Sequence, residues 1–215
     1  MTVLTDRKAA KGIVLHSAAG YDWLVWLTTL GRERAFREKL LRLAHLGPGE
    51  SVLDVGCGTG TLAIAAKRVA GAAGRVHGID ASPEMIARAE RKATKAGVEV
   101  VFQNALAQAL PFPDAQFDAV LSTVMLHHLT RKVREQAAAE MRRVLKPGGR
   151  VLAVDFGGNT AKKKRLLNHF HRRHGHVALS DILALLGEAG LKIIESGEMG
   201  VRDLHFVRAA APSCA

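Results

Sequence analysis

The stretch Asp54-Val-Gly-Cys-Gly-Thr-Gly60, directly after the apolar run Ser51-Val-Leu53, constrains this chain more than any other. A buried strand that empties into three alternating glycines makes room for a tight turn and for something lying close against it. Around that point the sequence alternates between two periods. SVLDV (51–55), RVHGID (75–80), VEVVFQN (98–104), FDAVLST (117–123) and RVLAVDF (150–156) read as strands. GTLAIAAKRVA reads as a small-residue helix able to approach a sheet closely. Ser82 as N-cap, Pro83 in the first turn and Glu84 near the positive dipole end open another helix, with Met85, Ile86, Ala89 and Ala93 on its core face. A further helix runs to about Leu145, with Val133, Ala137, Met141 and Val144 on one side, and Lys146-Pro-Gly-Gly149 stops it.

Alternation through the first five strands predicts a parallel sheet with helices on both faces. Ser180 as cap and Gly190 as stop bound the last helix. LKIIESG (191–197) and LHFVRA (204–209) have no helix between them, so they complete a seven-stranded sheet as an antiparallel hairpin. Ahead of the sheet, residues 21–46 read as helical. Phe36, Leu40 and Leu43 form one stripe, and Glu33–Arg37 and Glu38–Arg42 are ion pairs on the outer face.

Three ligands suit a glycine loop of this kind: a dinucleotide, a bare phosphate, or a group with no phosphate. The dinucleotide fingerprint is G-x-G-x-x-G, but here the spacing is G-x-G-x-G and Thr61 stands where the third glycine belongs. The phosphate-loop lysine is missing, and no cation occurs from Asp54 to Ala66. Asp80 ends the second strand at the place where a carboxylate accepts hydrogen bonds from both hydroxyls of a ribose. Asp54 adds negative charge suited to a sulfonium and an ammonium. A ribose without a pyrophosphate, next to positive charge, points to S-adenosylmethionine.

The bulk numbers bound the rest. One domain is the default for 215 residues, and 48% hydrophobic with 24% charged residues is ordinary for a soluble globular chain. Cys57 lies in the loop and Cys214 on the tail, which excludes a disulfide framework and favours a reducing compartment. No apolar run is long enough to cross a membrane. Only GIVL separates Arg7, Lys8 and Lys11 from His16, too short for a secretory leader, so the expected location is cytoplasmic. A net charge of +11 favours anionic partners without choosing among nucleic acid, acidic membrane and acidic substrate. An arginine- and alanine-rich host proteome explains it equally well.

VLDVGCGTG, GIDASPEMI, ALPFPDAQFDAVLSTVMLHHL and EMRRVLKPGGRVLAVDF, in that order and spacing, resemble the class I methyltransferases. The branch they most resemble contains the ubiquinone/menaquinone C-methyltransferases. The resemblance runs from about Tyr21 to Phe156 and implies a Rossmann-like fold in one domain over 1–215. Within it, 1–47 is a helical extension or lid, 48–156 the cofactor core, and 157–215 an acceptor-side segment with the hairpin.

It also implies that Gly56, Cys57, Gly58 and Gly60 bring backbone to the amino-acid part of S-adenosylmethionine. Asp80 holds the ribose, and Ala81 and Met85 line the adenine side. Asn104-Ala105 takes the place where the family commonly has Asp-Ala reading the adenine amino group; an asparagine carbonyl still accepts that N–H, without the charge. Ser122 and Thr123 fall between cofactor and acceptor, and Tyr21-Asp22 matches the start of the family's closing helix, making Tyr21 a candidate cofactor contact.

Methyl transfer from a sulfonium is an in-line displacement, and a base is needed only where the acceptor must lose a proton. His127 and His128 follow the fourth strand at the acceptor face, as general base or orienter. The competing reading is that they cap the strand and bond loop backbone. Trp23 and Trp26 belong to an apolar lid or to plain core packing.

His169, His171, His174 and His176 invite a metal, but i,i+2 partners fall on different helix faces and no cysteine or carboxylate interleaves, so no metal is expected. Lys162-Lys-Lys-Arg165 is a solvated face, or a contact for an anionic membrane or acceptor. The expected partner is a small or lipid-like acceptor such as a quinone precursor or phospholipid head group. An RNA methyltransferase is the alternative, disfavoured because STVMLHH replaces the Asn/Asp-Pro-Pro-aromatic signature. A binding module without catalysis is the other, disfavoured by the intact Asp80 and glycines. The oligomeric state is not legible.

Overall fold

The computed structural model describes residues 33–157, 177–201 and 203–213. Helix α1 (Glu33–Leu43) lays Leu40 and Leu41 into the core, with Phe36 and Leu43 half-covered beside them. On its outer face Glu33 pairs with Arg37 as expected, but Glu38 pairs with Arg34 at 3.0 Å rather than with Arg42. Either partner lies one turn away, so the helical period serves both pairings. Residues 21–32, with Tyr21, Trp23 and Trp26, lie outside the described residues.

The chain then runs β1 (Ser51–Val55), α2 (Thr61–Ala70), β2 (Arg75–Asp80), α3 (Pro83–Ala96), β3 (Val101–Asn104), β4 (Phe117–Thr123), a tight turn (Leu126–His128), α4 (Arg131–Val144), β5 (Leu145–Phe156), α5 (Leu179–Glu188), β6 (Lys192–Glu198) and β7 (Leu204–Ala210). One seven-stranded sheet results, ordered β3-β2-β1-β4-β5-β7-β6. Every neighbouring pair among β3, β2, β1, β4 and β5 is parallel. Only β7 runs against the rest, paired with β5 and with β6, so the expected hairpin is present.

The local signals explain most boundaries. Ser82 Oγ accepts the Met85 N–H at 3.3 Å, Pro83 is the first residue of α3, and Gly97 closes the helix in the left-handed region. At α5 the expected cap is displaced: the helix begins at Leu179, and Ser180 lies inside it. Asp181 reaches back to accept the Ala178 N–H at 3.3 Å, which satisfies an N-terminal donor two residues before the expected cap. Strand β3 is shorter than its β-branched run suggests, because Val98 and Val100 pack on the core before the ladder begins. Pairing on β5 jumps from Phe117 opposite Leu145 to Ala119 opposite Arg150, so Lys146-Pro-Gly-Gly149 bulges out of the ladder.

Strict alternation fails between β3 and β4. The connection across residues 105–116 contains no helix, yet it crosses the sheet face. Leu110 and Phe112 are buried on that face, and Ala105 and Ala107 pack against it, so apolar loop residues do the covering expected of a helix. Arg143 of α4 fastens the loop. Its guanidinium donates to the carbonyls of Phe112 (2.8 Å) and Leu110 (3.1 Å), while Glu140 accepts the Leu110 N–H at 2.8 Å.

The sheet divides the apolar core in two. One face carries α1, α2 and α3 with Val52, Ala119, Leu121, Leu152 and Val154; the other carries α4 and α5 with Leu53, Val55, Val120, Val151 and Val207. The chain leaves β1 toward β2 and β3, then returns past β1 to β4 and β5. The order therefore reverses between β1 and β4, and a crevice opens beyond the carboxyl ends of those two strands.

Candidate functional site

The glycine loop fills one wall of that crevice. Gly56, Gly58 and Gly60 all have positive φ, at 75°, 53° and 74°. At Gly56 a Cβ would meet Met125 Cγ at 2.5 Å, so backbone and the Met125 side chain approach too closely for any other residue. At Gly60 a Cβ would meet Phe102 Cζ at 2.6 Å and Ala89 Cβ at 2.8 Å, so this glycine lets α2 start hard against α3 and β3. Cys57 is committed inside the protein: its N–H donates to Ile79 O, its carbonyl accepts from Gly60, and its buried thiol packs toward Gly78. Burial, followed by the charges of Asp54 and Asp80, holds that thiol well above its ordinary pKa. Cys57 shapes the loop and offers no reactive sulfur.

Two carboxylates stand under the loop, on the same face of the sheet. Asp80 Oδ2 accepts the Gly58 N–H and Oδ1 the Ser82 N–H, each at 2.9 Å, so this residue ties the loop to the start of α3. Burial raises its pKa against those hydrogen bonds. Asp54 is only 2% exposed, and its Oδ2 has no hydrogen-bond partner. Burial first, and the nearby Asp80 charge second, raise its pKa to about 7, partly offset by the Ala63 N–H.

The floor and far wall come from β3 and β4. The Asn104 side-chain N–H donates to Asp80 O at 2.9 Å, leaving its own carbonyl oxygen for another donor, and the Ala105 N–H reaches the same Asp80 carbonyl at 3.1 Å. Ala81 is exposed and Met85 buried at the head of α3. Ser122 Oγ and Thr123 Oγ1 are buried without partners at the end of β4. Val124, just beyond, has φ 54°, an uncommon conformation for a β-branched residue. That turn sends the chain to Met125, against Gly56, and on to the paired histidines.

His127 is 8% exposed, and its Nδ1 lies 2.7 Å from Oδ1 of Asp155, which is fully buried at the end of β5. The His127 N–H donates to Asp155 Oδ2 at 3.1 Å. The His128 ring stacks obliquely on His127 at 3.9 Å between centroids, and Phe156 meets it edge-on at 5.2 Å.

Three contributors were not read from the sequence. Asp155 was read only as part of a strand; an acid at the carboxyl end of the strand next to β4 is the signal that could have marked it. Met125 gave none. Lys92 of α3 donates to Thr59 Oγ1 (2.7 Å) and Thr61 Oγ1 (2.9 Å), so a cation does reach the loop, from more than thirty residues away in sequence. It is spent on hydroxyls of the protein, and the site still lacks the features of a phosphate cradle. His169, His171, His174, His176 and Lys162–Arg165 lie outside the described residues. No metal-holding group of histidines, cysteines and carboxylates occurs among the described residues, and no helix there is long and apolar enough to cross a membrane.

Residues 52–149 match the family model described as "Methyltransferase domain". The ubiquinone/menaquinone biosynthesis C-methyltransferase UbiE of Burkholderia mallei is 37% identical over 157 residues, which is 72% of this chain and 64% of that protein. Among solved structures, a SAM-dependent methyltransferase from Aquifex aeolicus superimposes with a TM-score of 0.72 at 24% identity, covering 91% of this chain and 99% of that one. The [4+2]-cyclase SpnF superimposes with a TM-score of 0.73 at 21% identity, covering 84% of this chain and 81% of that one. Residues 52–149 are thus a methyltransferase domain by that match, set in a fold shared with a SAM-dependent methyltransferase. The chain spans somewhat under two thirds of the length of the curated relatives it matches.

The site fits the cofactor of this methyltransferase family. An unpaired, buried Asp54 oxygen suits a cationic ligand, because a buried polar atom without a partner is costly until something meets it. Asp80 accepts the Gly58 N–H on one oxygen and the Ser82 N–H on the other, with the Ala81 N–H also against the carboxylate, and its remaining lone-pair capacity suits a ribose hydroxyl.

Proposed function

We propose that this chain transfers a methyl group from S-adenosylmethionine to a small or lipophilic acceptor. The reading is carried by the unpaired Asp54 oxygen across the strand reversal from the unpaired Ser122 and Thr123 hydroxyls. Bound there, the cofactor supplies a methyl group on a good leaving group, and the protein mainly aligns the reactants and excludes water. Asp54 holds the cationic end, Asp80 the ribose, and Asn104 with Ala105 the adenine edge, with Ala81 and Met85 beside it. Gly56, Gly58 and Gly60 admit the ligand close to backbone, and Ser122 and Thr123 face the junction of donor and acceptor. Tyr21 is proposed to close over the cofactor.

The acceptor is proposed to be of the quinol class, supported by the likeness to the ubiquinone/menaquinone C-methyltransferase. Calorimetry tests the donor half. The intact protein is expected to bind S-adenosylmethionine in the micromolar range, and Asp80→Ala to lose that binding. No binding by the intact protein would sink the reading. Because a cyclase shares this fold, transfer has to be measured as well, as labelled methyl recovered on acceptor.

A further inference from the structure

We infer that His127 is the general base of the proposed transfer and Asp155 its positioning residue, so that this pair takes the proton which the proposed quinol-class acceptor gives up and which an amine would not need to lose first. The inference rests on the proposed methyl transfer and deepens it. Asp155 sits at the end of β5 and accepts two backbone donors, the His127 N–H at 3.1 Å and the Phe156 N–H at 2.7 Å, with His127 Nδ1 2.7 Å from its Oδ1. Such a set suits an ionised carboxylate. A carboxylate opposite Nδ1 fixes the proton on that nitrogen and leaves the Nε2 lone pair as the acceptor. Nε2 has no hydrogen-bond partner among the described residues. The oblique His128 ring and the edge of Phe156 hold the imidazole plane from two sides. A histidine that only capped the strand would bond loop backbone through its ring; this ring spends one nitrogen on a buried acid and keeps the other open.

The position is also right. β4 and β5 are adjacent and parallel, with Ser122 opposite Ala153, so Asp155 and His127 lie just past the unpaired Ser122 hydroxyl on the far side of the crevice from the glycine loop. The balanced step follows. The acceptor's phenolic O–H gives its proton to Nε2, the electron pair of the phenolate, at oxygen or at the activated ring carbon, forms the new bond to the methyl carbon, and the carbon–sulfur bond breaks with its pair remaining on sulfur. Where carbon is methylated, its own C–H proton leaves afterwards to water as the ring regains aromaticity. His127 then carries the proton as an imidazolium beside the Asp155 carboxylate until water removes it. An amine attacks through a free lone pair and has no need of the arrangement before bond formation.

Two measurements on the full chain test this. Long-range proton–nitrogen correlation NMR of the histidine rings is expected to show His127 protonated on Nδ1 and bare on Nε2. Asp155→Asn, which substitutes a side chain of the same shape, is expected to disturb that tautomer while calorimetric cofactor affinity stays the same. A wild-type ring protonated on Nε2, or a tautomer indifferent to Asp155→Asn, overturns the inference. With labelled cofactor, hydroquinone is expected to accept methyl and benzylamine not. His127→Gln is expected to lower kcat on the order of 10²-fold or more, and Asp155→Asn to lower kcat with KM unchanged. Transfer to benzylamine alone, or to neither probe, removes the assigned acceptor class. Absence of cofactor binding by the intact protein would instead overturn the methyl-transfer reading, since that measurement does not depend on His127.

Discussion

Asp54 is buried, lacks a partner on one oxygen and has its pKa raised to about 7 by burial and by Asp80. Its native pKa lies above the ordinary carboxylate value of 3.8, so the folded protein holds this proton more tightly than the unfolded chain. Stability from this group is therefore full below about pH 4 and is lost as pH rises through about 7. A cationic ligand reverses the preference, because only the carboxylate attracts it. Cofactor affinity is then expected to rise from about pH 6 to about pH 8 and level off above, with proton release on binding at the lower end. Calorimetry in buffers of different ionisation enthalpy reads that release directly. Asp54→Asn is expected to weaken binding and to flatten the pH dependence; an unaltered slope in that variant would assign the titration elsewhere. The acid itself stands out in the sequence, one position before the glycines. Its missing partner does not, because an unpaired oxygen is a property of everything packed around it.

At the scale of elements, what could be read was local. SVLDV, RVHGID and FDAVLST become strands at their expected residues, since a short apolar run bounded by turns carries its own signal. Ser82 and Pro83 start a helix for the same reason. The β3–β4 connection was misread because its covering role depends on contacts made across the sheet by Leu110 and Phe112, which show no helical period. Its anchor is equally remote in sequence. Arg143 spans two loop carbonyls, Asp114 and Glu140, and these acids with their hydrogen bonds raise the guanidinium pKa further. Arg143→Ala is expected to destabilise the protein by about 1–2 kcal/mol, the range for losing hydrogen bonds to a charged but partly exposed group. It is also expected to loosen the loop, seen as faster amide exchange at Leu110, whose N–H bonds Glu140. A drop in stability without that local exchange would mean that the clamp acts only on α4. The same remoteness hid Asp155 from His127 and Lys92 from Thr59: the partners meet because the sheet order brings them together.

For the whole molecule, two apolar layers share one sheet, and the layer under α4 and α5 contains a titratable group. His77 of β2 lies edge-on to Phe112 at 5.3 Å and to Phe117 at 5.6 Å, which themselves meet at 5.0 Å. The three rings join β2, the β3–β4 connection and β4, so they tie together the part of the core that the crossing loop covers. His77 Nδ1 is buried without a partner. Burial first, and Arg75 second, lower its pKa from 6.5, so the native state favours the neutral ring. The sign follows from the protons bound. Below about pH 6.5 the unfolded chain takes up a proton that the native state refuses, and stability falls until the lower native pKa is reached. Carboxylates titrate through the same range, so total acid sensitivity does not isolate the ring. Comparing the native chain with His77→Phe does, because the substitution keeps the edge-on aromatic packing and removes only the titration. Urea midpoints at about pH 7 and about pH 5 are expected to separate more for the native chain than for His77→Phe. Equal separations would mean that water reaches Nδ1 and that the aromatic cluster does not exclude the charge.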